Sequence, residues 1–134
     1  MRHRIVATAA TLVIVTSGCA QQATAHREDR GHITVEGNTH PTQTVSCRQV
    51  GWLMIIEAKA HPGSARAFLR LEGEKPAVDA VSITNFDGFN GVAGQGVEAT
   101  AAEGTYTITG TAEGHTPDSV AKPRTVPFRI EAAC

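Results

Sequence analysis

The chain has 134 residues, with 12 Lys and Arg against 13 Asp and Glu, and a formal charge of −1. No basic cluster stands out, so the electrostatic footprint of a nucleic-acid binder is missing. The length suits one domain behind a leader, and beyond residue 18 no apolar stretch approaches the ~20 residues of a membrane-crossing helix.

Arg2, His3 and Arg4 make a basic start, an apolar run covers Ile5 to Val15, and the small residues Thr16, Ser17 and Gly18 lead into Cys19. A basic n-region, a short apolar h-region and a small-residue exit site read as a secretory signal over residues 1–18. Its exit site ends on a thiol that can take a diacylglyceryl thioether. The pattern resembles the lipobox of bacterial lipoproteins, departing from it at Thr16, where that motif has Leu, Val or Ile. The resemblance implies that Cys19 is the lipidated first residue of the mature protein. Acyl chains contribute about 0.8 kcal/mol per buried methylene, and two or more give stable anchoring where one does not. The alternative is an ordinary signal with an incidental Cys19.

Maturation at Cys19 leaves 116 residues with 10 basic and 13 acidic side chains, a formal charge near −3. One domain of this size buries roughly 60–70% of its unfolded surface. Cys47 and Cys134 remain, and in an exported protein such a pair is expected to be bridged. The bridge would hold the last residue to an early strand. Zinc is not expected, because no CxxC or HxxxH spacing accompanies these cysteines.

Ala20 to Gly31 is polar and nearly free of bulky apolar residues, too poor in them to offset its ordering entropy, and reads as a flexible tether over 19–31. From residue 32 to 134 the pattern becomes short β-type runs separated by Gly, Pro, Asn and Asp. Strands are expected at Ile33–Glu36 and at Gln43–Arg48, which carries Cys47. The next, Trp52–Ala60, should have Trp52, Met54, Ile56, Ala58 and Ala60 on one face and Glu57 and Lys59 on the other. His61-Pro62-Gly63-Ser64 breaks that run.

Ala65–Glu72 fits either a strand or a short helix. Gly73–Pro76 is a turn, Val78–Thr84 a strand, and Asp87–Gly96 a glycine-rich loop. Val97–Ala102 and Thr105–Ala112 form a hairpin about Glu103-Gly104, and Thr105, Thr107, Thr109 and Thr111 make a solvated threonine face. After a loop over Gly114–Thr125, Val126, Phe128, Ile130 and Ala132 line the inner face of a last strand. Cys134 shares that parity, which agrees with a buried bridge. About eight short strands with hardly a helical pattern predict an all-β domain, an antiparallel sandwich or partly open barrel.

The carboxyl half resembles the mycobacterial LpqH-type lipoprotein antigens, the 19 kDa antigen family. The resemblance is carried by Val78–Ser82, by Gly88–Gly96 with Gly94-Gln95-Gly96, and by Tyr106-Thr107-Ile108-Thr109-Gly110-Thr111-Ala112. The closing Pro127-Phe128-Arg129-Ile130-Glu131 to Cys134 completes it, and Cys19 and Cys47 extend it over most of the mature chain. It implies a cell-surface lipoprotein without catalysis, recognised by the host's Toll-like receptor 2 through an acylated Cys19 and implicated in adhesion, with Cys47 and Cys134 bridged. Here the tether departs from the family's long Ser/Thr-rich form. Gln21–Gly31 offers only Thr24 for glycosylation, so the domain should sit nearer the membrane.

Chemistry is scarce elsewhere. No GxSxG surrounds a serine, and Gly88, Gly91, Gly94 and Gly96 lack the Lys-Ser/Thr of a phosphate loop, so they read as turn and bulge glycines. His26, His32, His40, His61 and His115 are irregularly spaced and read as solvated side chains rather than metal ligands. Glu72, Glu74 and Asp79 read as a solvated face. Trp52 and Phe128 belong to the core, and Phe86 and Phe89 are expected to tuck beneath the glycine-rich loop; exposed, they would instead offer a contact surface.

The whole reads as a membrane-anchored, non-catalytic surface antigen without cofactor, metal or nucleic-acid partner. The main alternative is a carrier for a cell-envelope lipid or glycolipid, which needs an enclosed apolar cavity of several hundred Å³. A hydrolase would need a nucleophile–base pair that the sequence does not display.

Overall fold

The computed structural model describes residues 30–119 and 121–134, and Cys19, the leader, His26 and most of the tether lie outside them. Among the described residues there is no α-helix. Nine strands, β1 (Gly31–Val35), β2 (Asn38–Val50), β3 (Leu53–Ala60), β4 (Ser64–Arg70), β5 (Ala77–Phe86), β6 (Phe89–Ala93), β7 (Glu98–Ala102), β8 (Thr105–His115) and β9 (Arg124–Ala133), are joined by tight turns and one 3-10 turn at Pro117–Ser119. All strand pairings are antiparallel, in the order β6-β5-β4-β3-β2-β1-β9-β8-β7. A further pairing of β6 with β8 closes eight strands into a barrel and leaves β7 as an extra strand.

Local chemistry explains the hairpins. Glu36-Gly37, Asp87-Gly88 and Glu103-Gly104 each put two central residues at positive φ, between 51° and 83°. That is the geometry of a type I′ turn, whose twist matches the flanking strands. The β2–β3 turn is Gly51-Trp52, with Gly51 at φ 59°, as at the first central position of a type II′ turn.

The interior is filled by alternate residues of every barrel strand. Ile33, Ile56, Leu69, Ile83, Ile108, Val126 and Ile130 are buried, together with Phe86, Phe89 and Phe128. Eight strands enclose a space just wide enough for side chains of this size. The even positions of β9 point inward as expected, and so do Met54, Ile56 and Ala58 of β3. The Ala65–Glu72 segment resolves as strand β4, because Ala65, Ala67 and Leu69 are buried in strict alternation.

Three expectations are corrected. The glycine-rich segment is not a loop, since its residues 89–93 form β6 and close the barrel. Trp52 is not in the core: β3 starts at Leu53, and the indole stands in the β2–β3 turn, 65% exposed. The bridge is not deeply buried, for Cys47 is half-buried and Cys134 exposed. The cause is position, as Cys134 lies one residue beyond the end of β9.

Phe86 and Phe89 flank the Asp87-Gly88 turn as paired residues, each only 2% exposed, so the packing reading holds for both. The glycines around them serve close approach. Gly91 and Gly114 face each other across the β6–β8 seam, and a Cβ on Gly91 would meet the Phe89 ring at 2.6 Å.

Beyond the seam, β6 and β7 act as one bent strand against β8. Asn90, Gly91 and Val92 pair with His115, Gly114 and Glu113, and Glu98–Ala102 pair with Thr109–Thr105. Between Val92 and Glu98 the chain advances six residues while β8 falls back four, from Glu113 to Thr109. The two surplus residues lie in the stretch holding Gly94 and Gly96, the latter at φ 73°, and turn β7 away from the barrel wall.

Candidate functional site

The chain enters and leaves the barrel at one end, here the lower end. Ala133 N–H donates to the Arg30 carbonyl at 2.7 Å, and Cys134 N–H donates to the Gly104 carbonyl at 2.7 Å. The buried Thr42 hydroxyl donates to the Gly31 carbonyl at 3.0 Å, marking where β1 begins. Beyond Thr42 the pairings of β2 are with β3 alone. The Cys47–Cys134 disulfide spans this point, with Cα atoms 5.8 Å apart, and joins the half-free part of β2 to the end of β9.

The turns of an antiparallel meander alternate between ends. Glu36-Gly37, His61–Gly63 and Asp87-Gly88 lie at the upper end with the segment after His115. Gly51-Trp52, the 71–76 connection and Glu103-Gly104 lie at the lower end.

Much of the outer wall is polar. Ion pairs join Glu57 to Arg66, Asp79 to Arg70 (2.6 Å), Glu36 to Arg124 and Glu131 to Arg129 (2.5 Å), all between substantially exposed groups. Exposed pairs of this kind contribute about 0–1 kcal/mol each. Glu72 and Glu74 are solvated, while Asp79 is held by Arg70.

Three recesses lie on this wall. One of about 280 Å³ is lined by Glu57, Lys59, Arg66, Ser64, Ser82 and Thr84 among others. A second, about 470 Å³, crosses β5, β6 and β8 at Val92 and His115, and a third, about 360 Å³, lies among His32, Thr34, Thr39, Arg129 and Glu131. Among the described residues no group of three His, Cys, Asp or Glu side chains is placed to hold a metal ion.

His40 departs from the solvated reading. It pairs with the inward-facing Ile33, its ring centroid lies 5.2 Å from that of Phe86, and its buried Nε2 makes no hydrogen bond.

Sequence reasoning missed one surface feature. Val50 pairs with Leu53 and Ile55 with Phe68, all on the outer face, and Val50 and Trp52 are 60% and 65% exposed. Leu53, Ile55 and Phe68 are half-buried and extend this apolar strip up the wall from the lower turn. The signal lay in the unbroken run Trp52-Leu53-Met54-Ile55-Ile56. Side chains alternate across a strand, so such a run cannot put every apolar residue inside.

The fold thus defines a class, a small disulfide-closed β-barrel domain with a packed interior, of the kind that persists in an oxidising, exported setting. The family model of the Mycobacterium 19 kDa lipoprotein antigen matches residues 24–134, and the chain belongs to that family. A probable lipoprotein LppE of Mycobacterium tuberculosis is 33% identical, with the whole of both chains aligned. A putative lipoprotein of Mycobacterium indicus pranii is 28% identical over the whole of both chains. Another, of Mycobacterium avium subsp. hominissuis, is 26% identical over the whole of this chain and 97% of its own. Membership places the chain among membrane-anchored lipoproteins of the mycobacterial envelope.

Proposed function

We propose that this protein is an acylated surface antigen, held on the extracytoplasmic face by lipid on Cys19 and acting without catalysis through recognition by host receptors or adhesion. Residues 1–18 are the signal and 19–31 the tether, whose last residue, Gly31, already opens β1 of the barrel that runs to 134. The observation that carries the reading is the alignment over their full lengths with relatives named as lipoproteins, in a chain whose basic start and apolar run lead into Cys19. The barrel agrees with it, since Arg30 enters at the lower end and the upper-end turns face away from an anchor placed there. The carrier alternative is weaker, because Ile, Leu and Phe side chains occupy the barrel axis and the recesses described lie on the outer wall.

Intact mass spectrometry of protein extracted from its own envelope tests the anchor. The expected mature chain begins at an acylated Cys19 and carries the Cys47–Cys134 bridge. In a reporter cell dependent on Toll-like receptor 2, this material should signal and a Cys19→Ala chain should not. Equal signalling by both would sink acyl-dependent recognition, and co-purification of a stoichiometric envelope lipid would favour the carrier.

A further inference from the structure

We propose that the β2–β3 turn, Val50-Gly51-Trp52, is a foot that seats the lower end of the barrel in the headgroup region of the bilayer that anchors the chain. The inference rests on the anchored reading above.

Among the described residues the exposed large apolar side chains are Val50, Trp52 and Val92, and two of these three share one turn. That turn lies at the end where the chain enters. Cys47 is bridged to Cys134, the neighbour of Ala133, and Ala133 holds Arg30. From Cys47, β2 continues three residues further to Val50, about 10 Å along the strand.

Ten residues separate Cys19 from Arg30. Fully extended they reach at most about 36–40 Å, so the anchor keeps the entry end of the barrel close to the membrane. The end facing the bilayer is then the end bearing the turn. Trp52 suits that place chemically, because an indole pairs an apolar body with one N–H donor and partitions to the membrane–water interface. Leu53, Ile55 and Phe68 continue the apolar surface up the wall from Val50, the strand partner of Leu53.

The charges nearby are mixed, with Arg48 and Lys75 exposed alongside Glu72 and Glu74. Burial of apolar surface at the interface, rather than attraction to anionic lipid, therefore seats the turn. The same balance disfavours a nucleic acid or a strongly charged protein as the occupant.

Trp52 is the only tryptophan of the chain, so its fluorescence reports the turn directly. Acylated full-length protein reconstituted in phosphatidylcholine vesicles should float with the lipid. Its tryptophan emission should shift to the blue, resist acrylamide and be quenched by brominated acyl chains. Val50→Asp should float equally well and stay folded by circular dichroism, yet regain acrylamide access. Val92→Asp, on β6 away from the turn, should behave like the wild type.

Flotation with Trp52 still fully open to acrylamide overturns the foot and leaves the anchor standing. Shielding that needs no vesicles and rises with protein concentration also overturns it, in favour of a second copy of the chain. Failure to float defeats the anchored reading instead. The foot is then judged by added vesicles, whose brominated lipid either quenches Trp52, supporting it, or does not, overturning it.

Discussion

The middle pair of the closing seam, Gly91 and Gly114, leaves no room for a side chain. A Cβ added to Gly114 would clash with the carbonyl oxygen of Asn90 and lie 2.5 Å from the Cα of Gly91. Both obstacles are backbone, so relief requires the β6–β8 seam to part. Gly114→Ala is expected to lower stability by about 1–3 kcal/mol, with the loss seen as a lower urea midpoint. Glycine thus has a different role at Gly114 from that at Gly104, where φ is 79° and nothing lies within 4 Å. One position needs absent volume and the other needs left-handed backbone.

Among the elements, the hairpin β7–β8 carries a correctable strain. Glu103 holds φ 52° in the first central position of its turn, a conformation unfavourable for most L-residues and better tolerated by Asn. Glu103→Asn should therefore stabilise the domain by about 0.5–1 kcal/mol, read as a raised urea midpoint with an unchanged slope. Unlike Glu36, which is paired with Arg124, Glu103 is exposed and makes no side-chain hydrogen bond or ion pair among the described residues. The hairpin itself was legible from the alternation of Tyr106, Ile108, Gly110 and Ala112 with four threonines about Glu103-Gly104. The β6 strand was not, because its glycines, selected for close approach, imitate the composition of a loop.

For the whole molecule, the disulfide decides how firmly the two halves of the circle meet at the lower end. Its cysteines are 87 positions apart, and β2 beyond Thr42 is paired on its β3 side. On the chain-entropy model a bridge of this span contributes nominally about 4–5 kcal/mol. Replacing Cys47 and Cys134 by Ser should lower the denaturation midpoint accordingly, and mild reductant should do the same to the native protein. A midpoint unmoved by reductant would show that the packed core alone holds the lower end. The bridge also fixes the turn at Trp52 relative to Arg30, so its loss should blunt the difference between wild type and Val50→Asp at the vesicle surface.

Composition and order along the chain were enough to determine the all-β class, the strand faces of β8 and β9, the pairing of Cys47 with Cys134 and the resemblance to a lipoprotein antigen family. These depend on local alternation, turn residues and short motifs, which neighbouring residues encode by themselves. Tertiary structure alone decided that the sheet closes, that β6 supplies the closing edge, that His40 turns inward against Phe86, and that Trp52 with Val50 stands exposed beside the chain's entry. Each of those depends on which distant strands meet and at what register, and a one-residue difference in where β3 begins is sufficient to move the indole from the core to the surface.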